Sequence, residues 1–283
     1  MNIKRLDALI AAALREDMPH GDITSDSLVP AAARSRAVLM AKAPGVLAGI
    51  DIARRVFLEM DPRTSFAARA QDGERFAPGD ALAEIAGRTR ALLGAERTAL
   101  NFVQRMSGIA TTTRAYVDAV AGTGARILDT RKTTPGLRDV EKYAVRMGGG
   151  TNHRRDLSAM VLIKDNHLVS VGDVGEAVAR ARRKVGRRLL VEAEVTNFRQ
   201  ARAALAAGAD WIMLDNMAPE AMRRVVAWVA GRAKIEASGN VSLATVRKIA
   251  DLGVDFISVG RLTHSIAAID LSLEFLKPQK RRP

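Results

Sequence analysis

Six short apolar segments in the C-terminal half of the chain end abruptly at charged or small polar residues. They cover residues 127–128, 161–163, 189–191, 211–214, 235 and 256–257. A continuous apolar run with helical sequence on both sides is typical of a buried strand in a parallel sheet. The centres of the last four segments lie 21 to 23 residues apart, which is enough for one strand and one helix. The pattern predicts repeated β/α units with six or seven strands.

A complete β/α barrel has eight strands, so we expect an incomplete, open barrel in this part of the chain. Barrels of this kind carry their reactive side chains at the C-terminal ends of the strands. Charged or small polar residues follow each of the six predicted strands. The pattern therefore indicates an enzyme.

The first part of the chain has a different pattern. Apolar residues recur on one helical face in residues 3–14, and short strand-like segments follow between turn residues such as Gly73 and Gly79. A long helix is expected over about 95–121. These elements together predict an α+β arrangement for the N-terminal part.

We therefore predict two domains in an α/β protein. The N-terminal α+β domain covers residues 1–107, and the open β/α barrel covers residues 108–267. A final helix over about 268–283 is expected to pack on the N-terminal domain.

The composition limits the classes of protein to consider. The chain has 283 residues, of which 48% are hydrophobic, and no apolar run approaches the roughly 18–20 residues of a membrane span. The N-terminal apolar stretch is amphipathic rather than leader-like. The chain contains no cysteine, so disulfides and thiolate metal sites are excluded. We expect a cytoplasmic protein without a membrane partner.

The formal net charge of +13 has two explanations. A nucleic-acid-binding protein would usually show basic runs interleaved with aromatic residues, but aromatic residues make up only 4% and the longest basic cluster is residues 280–282. The alternative is that cations are focused into a cleft for small polyanionic substrates. We favour the second explanation and expect no nucleic-acid partner.

Five potential cations follow the predicted strands or a glycine-rich segment. They are Arg131, Lys132, His153, Arg154 and Lys164. Arginine forms two-pronged contacts with carboxylate or phosphate, and lysine acts as a point charge. A solvated loop is the alternative for each segment alone, but the set predicts a multiply anionic ligand.

Acidic residues end other predicted strands. Treating Glu192 and Glu194 as side chains on opposite faces of their strand, we expect only one of them to point inward with Asp215 and Glu236. Inward carboxylates could hold ribose hydroxyls, bind Mg²⁺ or stabilise a developing cation. Structural ion pairing is the alternative for each of them.

Small residues end the last two strands, at Ser238, Gly239 and Gly260. The loops after the last two strands of such barrels often hold a phosphate through backbone N–H groups. Each glycine alone is a weak signal. Two glycines in these two loops predict a phosphate subsite.

Taken together, the ordered motifs closely resemble the quinolinate phosphoribosyltransferase family. The segments that carry the resemblance are 96–101, 129–136, 141–145, 148–154, 162–167, 214–217 and 236–239. The resemblance implies a type II phosphoribosyltransferase fold, with an α/β N-terminal domain and an open α/β barrel. It also implies a homodimer or higher homo-oligomer with active sites between subunits.

The resemblance further implies the reaction and the site. The substrates are quinolinate and phosphoribosyl pyrophosphate, with Mg²⁺, and the products are nicotinate mononucleotide, pyrophosphate and CO₂ in NAD biosynthesis. The implied roles are quinolinate binding by Arg97 of a neighbouring subunit, Arg131, His153, Arg154 and Lys164; pyrophosphate binding by Lys132; ribose and metal contacts by Glu194 and Asp215; and 5′-phosphate binding by Ser238, Gly239 and Gly260. Lys132, Lys164, Glu194 and Asp215 form the expected catalytic set, and no direct protein ligand of the metal is assigned.

Two rival functions remain open at this stage. Lys164 at the end of a barrel strand also suits an aldolase that forms a Schiff base. The net positive charge also suits a nucleic-acid-binding protein. A paralogous group associated with molybdate transport shares the overall pattern, but the complete cation set argues against it.

Overall fold

The computed structural model describes residues 3–277, which form two compact units. The first unit contains the chain up to Thr112, residues 134–149 and the chain from Ile266 onward. The second unit contains residues 113–133 and 150–265. The first unit thus includes residues 134–149, a segment that the sequence analysis assigns to the barrel.

The first unit begins with an amphipathic helix, as expected. Its helices are α1 Ile3–Asp17, α2 Ile23–Leu28, α3 Ile50–Met60, α4 Thr89–Ala119, which begins in this unit, and α5 Arg138–Met147. Its first strands are β1 Arg34–Ala41, β2 Gly45–Val46, β3 Ser65–Ala68, β4 Arg75–Phe76 and β5 Ala81–Arg88. The buried face of α1 carries Leu6, Ile10 and Leu14 at helical spacing. This unit is therefore α+β.

The second unit contains a six-stranded parallel sheet with the strand order β6-β11-β10-β9-β8-β7. Its strands are β6 Arg126–Leu128, β7 Val161–Ile163, β8 Val191–Val195, β9 Trp211–Asp215, β10 Lys234–Ser238 and β11 Phe256–Ser258. Its helices are α6 Asp165–Val171, α7 Val174–Val185, α8 Phe198–Ala206, α9 Pro219–Val229, α10 Val246–Ala250 and α11 Arg261–His264. The predicted open β/α barrel is confirmed.

The six apolar segments of the sequence form or adjoin these strands, and most of their side chains are buried, although Leu190 just before β8 is 46% exposed. Ile127, Ile212 and Leu214 are completely or almost completely buried. The β8 strand begins at Val191 and extends to Val195, so it lies further along the chain than its apolar segment suggests. The difference places both Glu192 and Glu194 inside the strand.

The C-terminal helix expected over about 268–283 is wrong. Leu271–Phe275 forms a strand, β12, which pairs antiparallel with β1 and places Leu273 opposite Leu39. Leu271, Leu273 and Phe275 alternate with Ser272 and Glu274, a period of two that suits a half-buried strand. The edge of β1 supplies hydrogen-bond partners for this strand, whereas a short isolated helix is only marginally stable. Residues 278–283 lie outside the described part of the chain.

No helix within residues 3–277 combines the length and the apolar character needed to cross a bilayer. The longest helix, α4, has 31 residues. Charged and polar residues recur along its whole length, so no stretch of this helix is apolar enough to span a membrane. This finding agrees with the absence of a long apolar run in the sequence.

A glycine in α4 lets another backbone segment of the first unit approach closely. A Cβ atom built on Gly108 would lie less than 3.0 Å from the carbonyl oxygen of Ala267. The helix continues through this position without a break. Gly108 therefore serves packing against the chain that leads into β12, rather than a bend in the helix.

The substitution Gly108→Ala should lower the free energy of unfolding by about 1–3 kcal/mol, because the methyl group would overlap a backbone atom that cannot move alone. Alanine is the better helix former, so a helix-propensity effect would have the opposite sign. Gly124 is the control, because a Cβ atom there meets nothing within 4 Å. Urea unfolding of both variants checks this, and equal stabilities would contradict the packing role.

Candidate active site

A cavity of about 830 Å³ lies in the second unit, at the carboxyl ends of the parallel strands. Its lining includes ten of the eleven predicted site residues, namely Arg131, Lys132, His153, Arg154, Lys164, Glu194, Asp215, Ser238, Gly239 and Gly260. The eleventh, Arg97, is an exposed residue of α4 in the first unit. The fold thus brings ten residues from separate strand ends together at one cavity.

The pleat of the strands explains which side chains reach the cavity. Positions two apart in a strand share a face, and Met213 and Asp215 of β9 both line the cavity, as do Glu236 and Ser238 of β10. The same rule puts Glu192 and Glu194 of β8 on one face. The expectation that only one of these two glutamates points inward is therefore wrong, because it treats positions two apart as opposite.

Glu194 forms an ion pair at the side of the cavity. Its Oε2 lies 2.6 Å from Nζ of Lys164, and the glutamate side chain is only 11% exposed. Lys164 follows β7, the neighbour of β8 in the sheet. The lysine at the end of an apolar strand is thus matched by an opposite charge, which offsets the cost of removing it from water.

His153 lies between two completely buried carboxylates. Its Nε2 is 2.9 Å from Oε2 of Glu192 and 3.3 Å from Oε2 of Glu236. The backbone N–H of His153 donates to Oδ1 of Asp129 at 2.8 Å, and the ring meets Trp211 edge-on. Because ionised carboxylates only accept hydrogen bonds, Nε2 must carry a proton.

The two glutamates also control the charge of His153. Burial alone would lower the pKa of His153, but the hydrogen bonds and charges of Glu192 and Glu236 outweigh it and raise the pKa to about 9. Burial, and then the charge of Glu236, raise the pKa of Glu192 to about 7. At neutral pH the cluster therefore keeps His153 as an imidazolium. His153, Glu192 and Glu236 also bring three possible metal-ligating atoms within 4.8 Å of one another, but the direct contacts of Nε2 with the carboxylates fit a shared proton.

Two guanidinium groups repel each other at the cavity. Burial, and then the charge of Arg131, lower the pKa of Arg154. Arg154 is held by a hydrogen bond from Nη1 to the carbonyl oxygen of Met160, at 3.2 Å. Two neighbouring cations, of which Arg154 is held by the backbone, form a site for an anion, because the anion relieves their repulsion.

Lys132 is fixed by close contact with the loop after β11. Thr263 Oγ1 donates to the carbonyl oxygen of Lys132 at 2.8 Å. A Cβ atom on Gly260 would lie 3.1 Å from Cδ of Lys132 and 3.1 Å from Nε2 of His264. Glycine at this position therefore lets the lysine side chain lie directly over the loop.

The site roles assigned from the sequence do not include Asp129, Glu192 or Glu236, which are completely buried beside or beneath the cavity. The two glutamates stand among the candidate inward acids of the strand pattern, and a buried charge requires a partner. The partner, His153, comes from a loop more than 38 residues away in sequence. Sequence spacing alone does not reveal that contact.

Comparisons with known proteins find similarity in both parts of the chain. Residues 22–107 match the family model described as quinolinate phosphoribosyl transferase, N-terminal domain, and residues 109–274 match the corresponding C-terminal domain. The nicotinate-nucleotide pyrophosphorylase (carboxylating) of Mycobacterium leprae is 44% identical over 271 residues, which cover 94% of this chain and 95% of that protein.

Solved structures show the same similarity. The crystal structure of NadC from Streptococcus pyogenes superposes with a TM-score of 0.94 at 42% identity and covers 98% of this chain and 99% of that chain. The nicotinate-nucleotide pyrophosphorylase from Francisella tularensis superposes with a TM-score of 0.92 at 38% identity, covering 98% of each chain. The similarity therefore extends across both units.

His153 should titrate near pH 9 rather than near the ordinary histidine value of 6.5. Because the pKa is raised in the folded state, the stabilising contribution is fully present below about pH 6.5 and is lost as the pH rises through about 9. NMR titration of the four histidines would measure the pKa. Glu192→Gln should lower the pKa of His153; a pKa near 6.5 for His153 in the unmodified chain would contradict the account.

Proposed function

Because the chain belongs to the quinolinate phosphoribosyltransferase family, we propose that it is a pentosyltransferase of NAD biosynthesis. It transfers the phosphoribosyl group of phosphoribosyl pyrophosphate to quinolinate, with decarboxylation, and yields nicotinate mononucleotide, pyrophosphate and CO₂. The observation that carries this proposal is the single cavity lined by cations and carboxylates from separate strand ends. Both substrates are polyanions, and such a cavity suits them.

In this proposal quinolinate binds among Arg131, His153, Arg154 and Lys164. The two carboxylates of the pyridine ring suit the two-pronged donors of arginine. The imidazolium of His153 adds a positive charge from below, held by its buried glutamates. Binding of the dianion relieves the repulsion between the two arginines, which supports their assignment to this substrate.

The phosphoribosyl donor occupies the opposite part of the cavity. Lys132 meets the pyrophosphate, and backbone N–H groups near Gly239 and Gly260 hold the 5′-phosphate together with Ser238. The glycines allow close approach of an anion to the backbone. These roles agree with the phosphate loops that end the last strands of such barrels.

Loss of pyrophosphate breaks the bond between C1 and oxygen and leaves positive charge at C1 of the ribose. The carboxylates of Glu194 and Asp215 stabilise that charge. The pyridine nitrogen then forms the bond to C1 and becomes positively charged. CO₂ leaves from the adjacent ring carbon, and the electron pair left there is stabilised by the charged nitrogen until a proton replaces the carboxylate.

Mg²⁺ belongs to this proposal as the counter-ion of the donor. The carboxylates of Glu194 and Asp215 line the same cavity, and carboxylate oxygen atoms are the ligands that Mg²⁺ prefers in proteins. Glu194 would hold the metal, which would supply positive charge to the leaving pyrophosphate, while Asp215 faces the ribose. The cytoplasmic location stays a prediction.

The rival aldolase function needs an uncharged Lys164 that is free to attack a carbonyl group. Its Nζ instead lies 2.6 Å from a glutamate oxygen, so the amine is engaged in an ion pair rather than free. The family membership supports the transferase as well. We therefore retain the transferase alone.

A mixture of the protein, Mg²⁺, quinolinate and phosphoribosyl pyrophosphate should yield nicotinate mononucleotide, detected by chromatography, with loss of product when either substrate is omitted. Arg154→Ala should raise the quinolinate KM at least about 10-fold, because a hydrogen bond between charged groups contributes about 1.5–3 kcal/mol. Arg155→Ala is the matched control, since Arg155 pairs with Asp156 outside the cavity lining. No product from the unmodified chain would refute the function.

We also propose a homodimer in which Arg97 completes the site of the partner subunit. Arg97→Ala and Lys132→Ala chains should each be inactive alone. After subunit exchange, the mixture should recover up to about a quarter of the activity, because half of the dimers are mixed and each has one intact site. A mixture of Arg131→Ala with Lys132→Ala is the control and should stay inactive. Equal lack of recovery in both mixtures would contradict the shared site.

A further inference from the structure

Two asparagines at the rim of the cavity adopt a left-handed backbone. Asn216, directly after β9, and Asn240, two residues after β10, both have φ of 49°. Within residues 3–277, Ala230 at the end of α9 is the one other non-glycine residue with positive φ. Such strain is uncommon in non-glycine residues and collects at functional sites. Both asparagines also line the cavity.

The side chains of these asparagines form a hydrogen-bond chain that ends on Asp215. Nδ2 of Asn240 donates to Oδ1 of Asn216 at 3.1 Å, and Nδ2 of Asn216 donates to Oδ2 of Asp215 at 2.9 Å. A carboxylate only accepts hydrogen bonds, so the amide of Asn216 has to present its NH₂ group to Asp215. Its oxygen then faces Asn240, which has to donate. The hydrogen bonds therefore run in one direction only, from Asn240 through Asn216 to Asp215.

Gly239 leaves space for the side-chain amide of Asn216. A Cβ atom on Gly239 would lie less than 3.0 Å from three atoms of the Asn216 side-chain amide. The backbone N–H of Asn216 also donates to the carbonyl oxygen of Ser238 at 3.0 Å. The loop after β10 thus holds both the backbone and the side chain of Asn216.

The result is one fixed orientation for the Asp215 carboxylate. Oδ2 is engaged by Asn216, and Oδ1 has no hydrogen-bond partner among the described residues. Asp215 ends β9 on the face that lines the cavity. One oxygen is thus held by the protein while the other remains available to a ligand.

We propose that Asn216 is a positioning residue that aims the Asp215 carboxylate at the reacting carbon of the ribose, with Asn240 and Gly239 holding Asn216 in place. The inference rests on the proposed function, because it assigns Asp215 to the phosphoribosyl donor. The inference links two parts of the donor's site, namely the loop that holds the 5′-phosphate and the Asp215 carboxylate beside the reacting carbon. The loop that holds the 5′-phosphate is the same loop that orients Asn216.

This connection lets binding at a remote group assist the reacting centre. When the 5′-phosphate orders the loop after β10, the same contacts order Asn216 and hence Asp215. Binding energy from a non-reacting part of a substrate then contributes to the rate rather than to affinity alone. The expected effect of removing Asn216 therefore falls on kcat.

The test compares Asn216→Gly and Asn216→Asp with the unmodified chain in steady-state assays of nicotinate mononucleotide formation. Glycine keeps the left-handed backbone but removes the amide, and aspartate keeps the size but cannot donate. Both variants should lower kcat about 10- to 100-fold, the scale of a misplaced catalytic group, while the donor KM changes less than about threefold. Ala230→Gly is the control for placing glycine at a left-handed position and should keep the unmodified kcat.

A kcat of Asn216→Gly within twofold of the unmodified value would overturn the inference, as would full activity of Asn216→Asp. An unmodified chain that forms no nicotinate mononucleotide would instead refute the proposed function, so the two failures are distinguishable. Thermal melts of each variant show whether a lost rate reflects lost folding.

A double-mutant cycle gives a second, independent readout. Gly239→Ala should lower kcat strongly in the unmodified background, because its methyl group displaces the Asn216 amide. Because Gly239 has a φ of 97°, the alanine is strained in both backgrounds. In the Asn216→Gly background the same change should lower kcat by a smaller factor than in the unmodified chain, because the displaced group is gone. Equal losses of kcat in both backgrounds would contradict the proposal.

Discussion

Concentrating several cations in one cavity is unfavourable unless acidic groups nearby offset their repulsion. In this protein the carboxylates come from the strands themselves. Glu192 and Glu236 lie buried on either side of His153, and Glu194 pairs with Lys164. These acids keep the imidazole charged and allow the lysine to lie at the end of an apolar strand. The cationic character of the cavity therefore depends on buried carboxylates as much as on the basic residues.

The parallel sheet explains why these groups meet. Every strand of the second unit runs in the same direction, so the residues at six carboxyl ends share one rim. Side chains at positions two apart on a strand point to the same face, so they lie at two levels of the cavity. The deeper positions carry the glutamates around His153, and the positions nearer the rim carry Lys164 and Asp215.

Much of this arrangement could be predicted from the sequence. Buried parallel strands appear as short apolar runs, and the charged residues at their ends identify the cavity. The strand Leu271–Phe275 was mistaken for a helix because five residues with alternating polarity are a weak signal without knowledge of the β1 edge. The contact of His153 with Glu192 and the chain through Asn216 depend on loop conformations, including positive φ angles, that spacing does not reveal.

The central claim is that the cavity recognises a pyridine with two neighbouring carboxylates through its paired cations. Isothermal titration calorimetry of pyridine-2,3-dicarboxylate and pyridine-3-carboxylate tests this claim directly. The dicarboxylate should bind at least about 10-fold more tightly, because the second carboxylate adds a contact with charged donors. Equal affinity for the two pyridines would contradict the account.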